Sequence, residues 1–592
     1  MKTIVFVQSI SDFNPDEHYI DIRSANNVNY SSDSGERKLI ELSVIYEQYG
    51  KKWLEEFSAL LASLNKDNAS LLWWAYTSTA KNLLSSPLGE YYVQVRAICE
   101  IFRQKNINTL NVIGATPGQM ESIASYLSSS EIRFCGQAWK LKKWSRHVSI
   151  FTTLARQPIF FARIVFGFFL NRRPEIDKNI DVCLFTYLDG ELKNGEDNYF
   201  GKLPQLLKKN KSVGSVLYLA YVYHPYRKRI RQISGMKSVV PYVALFGLLS
   251  VSDCFWVLSK VCVNWWENSF STKKNIRGNV KEFSPLLHEA FLHDIAVGGY
   301  LHNLLIYKSI SQFIRLCKPR VLMYPFENKS LEKMIILGVN NFHQKPELVG
   351  FQHSSITPRH ITLLFRQGEV KYTPLPDKII TVGSVTKKYL EEFGNYPLGI
   401  FYTGCALRQN FVRPHLERGS RGNVTRVLLV LSSSENELIQ AVRYFKKVLK
   451  IKPKLELGIR PHINFPLTLL PNELANWVVN NTLDFSETLL EDNLYWCNVT
   501  TYVSSTAALE ALMQGKPIIN FSIGDIISPD PVIGKAPFHW YASNESDMVD
   551  IIDRLQKLSD DEYADSGVRA IKYAKNYLVP VDETCIKKFL IS

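Results

Sequence analysis

Two stretches of the chain end an apolar run on residues that can hold an anion. Ile459-Arg460-Pro461-His462 is one. Val503-Ser504-Ser505-Thr506, which opens the helical pattern of residues 507–514, is the other. A guanidinium, an imidazole N–H, hydroxyls and the unpaired N–H groups of a helix start all stabilise phosphate. Arg460, His462, Ser504, Ser505 and Thr506 are therefore candidate contacts to a departing phosphate, although three hydroxyl residues in a row also suit a plain helix cap. Ser432 and Ser433 stand before a helix that begins near Glu435 and are candidate nucleotide contacts. Transfer to a hydroxyl needs a base, or a carboxylate nucleophile where configuration is retained. Glu327 lies just past one apolar run, and Asp189 and Asp197 lie in the polar loop 188–200, so these three are the candidate catalytic carboxylates. Gln352 and His353, past the run 348–351, are candidate contacts to a donor carboxylate or phosphate.

Other chemistries lack their residues. There is no G-x-G-x-x-G, and Gly515-Lys516 is followed by Pro517, so neither a dinucleotide fingerprint nor a Walker A loop is present. His288-Glu289 and His293 miss the zinc-protease spacing by one residue, which takes the imidazoles off a common helix face. No D-x-D pair is available to hold a catalytic metal, so a metal-free site without cofactor is expected, with protein groups stabilising the leaving phosphate. None of the nine cysteines forms a C-x-x-C pair, which argues for buried, reduced thiols in a cytoplasmic protein.

These side chains need rigid elements behind them. Residues 1–150 alternate short apolar runs with helical patterns. Residues 2–7, 71–76 and 110–113 read as strands, and 90–102 and 117–127 as helices. Residues 151–420 carry buried-strand patterns at 181–187, 216–220, 320–324, 348–351 and 378–382, each ending in a polar loop. Residues 421–592 repeat the plan with strands at 426–431, 455–459, 501–503 and 517–521. The expected fold class is α/β and GT-B-like: an N-terminal α/β region, then two Rossmann-like domains, 151–420 on the acceptor side and 421–592 on the nucleotide-sugar side, facing each other across a cleft.

With 592 residues a sizeable core is assured, and 46% hydrophobic against 21% charged residues excludes a disordered or fibrous chain. Lys plus Arg outnumber Asp plus Glu by 70 to 56, a net charge of +14 that favours an anionic partner. The basic residues flank aromatic-apolar runs. Trp139 to Trp144 and Arg156 to Arg173 form one such region, and Arg227 to Lys237, before the apolar stretch 239–266, forms another. Pro241, Asp253 and Lys260 interrupt that stretch, so two pieces split near Ser252-Asp253 are expected rather than a membrane span. Basic and aromatic patches suit the inner face of an anionic membrane. A nucleic-acid partner is not expected, because the charge does not form one continuous stripe with stacking aromatics.

The two strand-end motifs around His462 and Ser504-Ser505-Thr506 resemble those of bacterial sialyltransferases and capsule Kdo transferases, which use CMP-activated sugars; Ile463 stands where those families carry proline. Asp189-Gly190 resembles the acidic–glycine motif of some sialyltransferases. Tyr324-Pro325-Phe326-Glu327-Asn328, Glu332, Gly350-Phe351-Gln352-His353-Ser354-Ser355, Pro376-Asp377-Lys378 and Thr381-Val382-Gly383 are, in that order, similar to a bacterial family of surface carbohydrate biosynthesis proteins, over residues 180–560. The resemblance implies a glycosyltransferase of lipopolysaccharide O-antigen or capsule synthesis. Its donor would be a CMP-linked nonulosonic acid or Kdo, and its acceptor a glycan, lipid-linked forms included. A CDP-alditol phosphotransferase and a non-catalytic scaffold of a polysaccharide assembly complex are the rival expectations.

Overall fold

The computed structural model describes residues 2–7, 18–22, 40, 42–104, 107–127, 132–140, 152, 159, 161–162, 180–188, 197–209, 213–222, 226–235, 240–270, 281–408 and 426–589. They form three sheets, parallel throughout. In the first, β1 (Lys2–Val7), β2 (His18–Asp21), β3 (Thr109–Ile113) and β4 (Ile132–Cys135) lie in the order β2-β3-β1-β4. Helices Leu42–Asn68, Leu88–Gln104 and Pro117–Tyr126 accompany it. The strand expected at 71–76 is instead a short helix, Leu71–Trp74, whose N-cap Ser70 accepts a hydrogen bond from Trp73 N at 3.3 Å. A short apolar run has no period that separates a buried strand from a buried helix, and here the Ser70 cap decides.

The second sheet contains β5 (Val182–Leu188), β6 (Val216–Val222), β7 (Tyr242–Ala244), β8 (Val321–Pro325), β9 (Glu347–Gln352), β10 (Lys378–Thr381) and β11 (Phe401–Thr403), in the order β11-β10-β9-β8-β5-β6-β7. Every residue of β5, β6 and β8 is buried, as strands covered by helices on both faces require. The chain lays down β5 to β7 outward in one direction, then returns and lays down β8 to β11 in the other. The third sheet repeats this logic with β12 (Arg426–Val430), β13 (Glu456–Arg460), β14 (Leu483–Asp484), β15 (Val499–Tyr502), β16 (Ile518–Phe521) and β17 (His539–Ala542), in the order β14-β13-β12-β15-β16-β17. The strand order thus reverses between β5 and β8 in one sheet and between β12 and β15 in the other. In open parallel sheets such reversals leave a crevice at the carboxyl ends of the strands, and ligands bind there.

The units are tightly joined. After helix Asp560–Tyr577 the chain leaves the third sheet and returns to the second. Ala406 N donates to Val579 O at 2.8 Å, Val579 N donates to Val382 O at 3.0 Å, and the Phe589 ring lies 5.4 Å from that of Phe351. The tail expected to belong to unit 421–592 is therefore shared between two sheets. Gly383 makes this crossing possible, because a Cβ there would stand 2.1 Å from Tyr577 O. The N-terminal unit is docked by buried polar groups. Lys81 Nζ lies 2.7 Å from Glu369 Oε2, with both side chains 2% exposed. Glu289 accepts from Gly118 N at 2.6 Å and Thr116 Oγ1 at 2.9 Å, so a carboxylate of the second unit caps helix Pro117–Tyr126 of the first.

Asp294 makes the third such contact. It accepts from Thr77 Oγ1 and from Ser78 N and Ser78 Oγ, the latter two at 3.2 Å. Burial pushes its carboxyl up to about 7, against the pull of those donors. The folded state therefore binds a proton that the unfolded chain releases near pH 4. This contribution to stability is complete below that pH and is lost as pH rises through about 7. Asp294→Asn removes the titration. In urea unfolding the variant is expected to gain on wild type by roughly 2–3 kcal/mol between pH 5 and pH 7. A difference that stays constant across that window would show that Asp294 does not titrate there.

The apolar stretch 239–266 divides as expected: β7, a short turn over Leu245–Leu248, and helix Val251–Phe270, whose start is fixed by Asp253 accepting from Ser250 N at 3.1 Å. Among the described residues no helix is long and apolar enough to cross a membrane. Most of the other aromatic-basic region lies outside the described residues. Of its two tryptophans, the half-buried Trp139 stacks in the first unit against Phe6 at 5.4 Å and Phe134 at 5.6 Å. All nine cysteines are free thiols.

Candidate active site

At the reversal of the second sheet, the loops after β5 and β8 bring Asp197, Tyr199 and Glu327 to the strand ends. Glu327 is the accessible carboxylate, with its side chain 20% exposed. Lys329 Nζ pairs with its Oε2, and His353 Nε2 stands 3.4 Å from its Oε1. Burial pushes the Glu327 carboxyl up, but Lys329, His353 and His360 outweigh it and hold the group below the ordinary carboxylate range. Burial drives His353 down to about 4, so its ring is neutral at pH 7 and Lys329 supplies the compensating charge. Behind Glu327, both oxygens of the buried Glu332 accept its backbone N–H at 3.0 Å. Burial and the Glu327 charge raise Glu332 to about 8. Asn328 turns the chain with φ +57, and its carbonyl accepts from Lys333 Nζ at 2.7 Å. A backbone held this closely fixes where the Glu327 carboxylate stands.

Asp197 differs from its expected catalytic role. It is 3% exposed and accepts from Thr186 Oγ1 at 2.6 Å, Tyr199 N at 2.8 Å and Phe200 N at 2.9 Å. A carboxylate so saturated ties a loop to β5 and has little capacity left to take a substrate proton. Asp189 lies outside the described residues. Gln352 is also committed: its Nε2 donates to Ser354 O, and its Oε1 accepts from Val382 N at 3.3 Å. It braces the loop after β9 and offers no free contact to a ligand. His353 does stand at the site, packed 5.0 Å from the Tyr199 ring.

At the reversal of the third sheet, Ser432 after β12 meets Ser504 after β15, with Ser504 Oγ donating to Ser432 Oγ at 2.6 Å. Ser432 Oγ in turn donates to Glu437 at 2.6 Å, and Ser504 Oγ lies against the same carboxylate, which is buried in the helix Glu435–Ile451 that Ser434 caps. Burial raises the Glu437 carboxyl against the pull of these serines. The phosphate contact expected of Ser504 and the nucleotide contact expected of Ser432 are thus drawn into a serine–serine–Glu437 network, in which the two hydroxyl protons are shared inside the protein. Ser433 is exposed on the same loop. The capping expected of Ser504-Ser505-Thr506 is slight, since Thr506 makes no side-chain cap bond and Ser505 Oγ accepts Ala507 N at 3.4 Å. Arg460 is turned away from the phosphate expected for it. Its Nη1 donates to Thr488 O at 2.6 Å, Asn493 Oδ1 at 2.7 Å and Phe485 O at 3.4 Å, which pins the chain after β14. His462 sits at the end of β13. Its Nδ1 accepts Asn464 N at 3.2 Å, which leaves Nε2 as the protonated nitrogen of a ring that burial keeps neutral.

The two strand-end regions face each other. Arg359, in the loop after β9, pairs with Asp525, in the loop after β16, at 2.5 Å, and its Nε donates to Ile527 O at 3.4 Å. Tyr577 OH accepts from Ile356 N at 3.0 Å and donates to Pro531 O at 2.9 Å. The first unit reaches the same place, since a Cβ on Gly50 would meet Ile526 O at 2.3 Å, and the Arg359 charge opposes the desolvation that raises Glu90. Arg359, Asp525 and Glu437 were missed in the sequence. The available signals were that each lies within a few residues of a strand end, and that Gly524-Asp525 is a turn dipeptide. Among the described residues, no three His, Cys, Asp or Glu side chains gather in a way that could hold a metal ion.

The fold is therefore two Rossmann-like domains facing a cleft, the GT-B arrangement, with a third α/β unit packed across one end. No family model matches the chain, and no curated protein does. Solved structures do. The calicheamicin glycosyltransferase CalG4 is 13% identical, with 67% of this chain and 95% of that one covered, at a TM-score of 0.39. The Anabaena protein HepE in complex with UDP and glucose is 10% identical, with 69% and 98% covered, at 0.37. The UDP-GlcNAc 2-epimerase of Neisseria meningitidis bound to UDP-GlcNAc is 11% identical, with 69% and 98% covered, at 0.36. Likeness of that degree says nothing about what this chain binds.

Proposed function

We propose that the protein is a metal-independent glycosyltransferase of bacterial surface polysaccharide synthesis, for lipopolysaccharide O-antigen or capsule. It takes a nonulosonic acid or Kdo from a CMP-sugar and delivers it to a glycan acceptor. The observation that carries the reading is Glu327: an accessible carboxylate, kept ionised, at the reversal of one parallel sheet and opposite the reversal of another. Such a group can accept the proton of an acceptor hydroxyl as it attacks the sugar. The nucleotide then lies against the third sheet, between Ser432 and Ser504 on one side and the N–H of His462 on the other. A neutral imidazole donor stabilises the charge left on the phosphate.

Thermal unfolding with CMP, CDP, UDP and GDP tests the nucleotide. A ligand at 100 times its dissociation constant adds about 2.7 kcal/mol, and the reading expects CMP to give the largest shift. If none of the four shifts the transition, the reading fails. The reading includes attachment to the inner face of the cytoplasmic membrane, where a lipid-linked acceptor resides. In support, helix Val251–Phe270 turns Val251, Phe255, Val263 and Trp266 to the outside, each at least 55% exposed. Flotation with vesicles of anionic lipid should carry wild type and lose the Phe255→Ser, Trp266→Ser variant.

A further inference from the structure

A third cation stands at the active site and plays no part in the chemistry proposed so far. The chain after β11 runs over the loop that Asp197 organises, close enough that a Cβ on Gly201 would lie 2.4 Å from Leu407 O. The next residue is Arg408. It is exposed, and its guanidinium lies 4.9 Å from the centroid of the Tyr199 ring. That ring packs at 5.0 Å on His353, whose Nε2 faces Glu327 at 3.4 Å. Arg408, Tyr199, His353 and Glu327 therefore form one continuous ladder from solvent to the candidate base. Within the described residues Arg408 has no carboxylate paired to it. Its charge reaches Asp197 and His353, but Asp197 is buried with its oxygens filled by Thr186, Tyr199 and Phe200. An arginine stacked on an aromatic face is held in place without spending its donors. The fork of N–H groups remains for a planar, bidentate partner.

We infer that Arg408 is the anchor for the carboxylate of an acidic sugar, which it holds at the outer end of the ladder that leads to Glu327. The inference rests on the glycosyl-transfer reading of this cleft and names the residue that would recognise the carboxylate of its sugar. A carboxylate suits the site better than a phosphate. The site lies on the second sheet, separated from the candidate base by the Tyr199 and His353 rings, rather than on the third sheet among the nucleotide contacts. It also offers one planar fork rather than donors converging on a tetrahedral group.

The test compares ligand pairs of which one member carries a sugar carboxylate: CMP-N-acetylneuraminate against CMP, which lacks the whole sugar, and UDP-glucuronate against UDP-glucose, which differ only in the carboxylate at C6. Binding is measured by calorimetry on wild type, Arg408→Ala and Arg408→Lys. Wild type should prefer the carboxylate member of the pair it recognises. Arg408→Ala should weaken that member on the order of 10- to 100-fold and leave its partner unchanged. Arg408→Lys, which keeps the charge and loses the fork, should fall between them. Equal weakening of both members would make Arg408 a phosphate contact and overturn the inference, as would a wild type indifferent to the carboxylate. A wild type that binds no nucleotide at all would remove the functional reading. Free N-acetylneuraminate and glucuronate then decide the subsite alone, and binding insensitive to Arg408→Ala, or no binding, would overturn it too.

Discussion

Glu327→Gln is expected to lower turnover about 10³-fold, within the range that general-base groups contribute, and to leave donor affinity within about twofold. The substitution keeps shape and removes the charge that takes the proton. It should cost little stability, because the group is partly solvated and its backbone N–H stays on Glu332. The pH profile separates this base from its neighbours. Glu327 sits below the ordinary carboxylate range, so it is already ionised where most carboxyls titrate. The acid limb of wild-type kcat/KM should then lie below about pH 5. A limb near pH 6–7 would hand the role to another group. A variant that keeps more than about a tenth of wild-type turnover would remove Glu327 from the reaction. Glu332→Gln offers a contrast. It should leave the chemistry in place and shift KM and kcat together by a few-fold, since that side chain only fixes the backbone of its neighbour.

Much of this architecture was legible because parallel strands buried on both faces are nearly continuous runs of Val, Ile and Leu. The runs 181–187, 216–220 and 426–431 are strands, and the polar residues just beyond them mark the site. What the sequence could not convey was where each polar group points. Arg460 sits at a strand end, as an anion contact would, yet three acceptors from the segment 485–493 take its guanidinium. Ser432 and Ser504 are far apart in the chain and each reads as a cap or a ligand contact. Their actual partner, Glu437, becomes evident only when β12 and β15 lie side by side. Asp197 and Glu327 are both acids past a strand. One loop folds back to donate two backbone N–H groups and the other does not, and no composition or period records that difference. Arg359 and Arg408 were invisible for the same reason, since their significance lies in what they face.

What the N-terminal unit contributes follows from its joints, and the largest expected loss of stability tests it. Lys81→Met should cost about 3–5 kcal/mol in urea unfolding, the usual result of breaking a buried ion pair, because Glu369 is left charged and out of water. Lys81 cannot simply discard its proton without loss. Burial lowers its pKa, Glu369 opposes that fall, and its ammonium also donates to Leu364 O at 3.2 Å. Glu369 in turn accepts from Arg366 N at 2.9 Å and holds Asn65 of helix Leu42–Asn68. The same helix carries Gly50 against Ile526, beside the Asp525 that pairs with Arg359. The helix thus links the pair, at Asn65, to the loop after β16, at Gly50, about 22 Å further along its axis. Lys81→Met should therefore also weaken nucleotide binding severalfold at temperatures where the chain remains folded, although Lys81 is no part of that site. The double variant Lys81→Met, Glu369→Leu should recover most of the lost stability, because it leaves no unpaired charge. If the single variant unfolds within about 1 kcal/mol of wild type, the docking does not depend on this pair. If stability falls and nucleotide affinity does not, the N-terminal unit is a fold-stabilising appendage with no hold on the cleft.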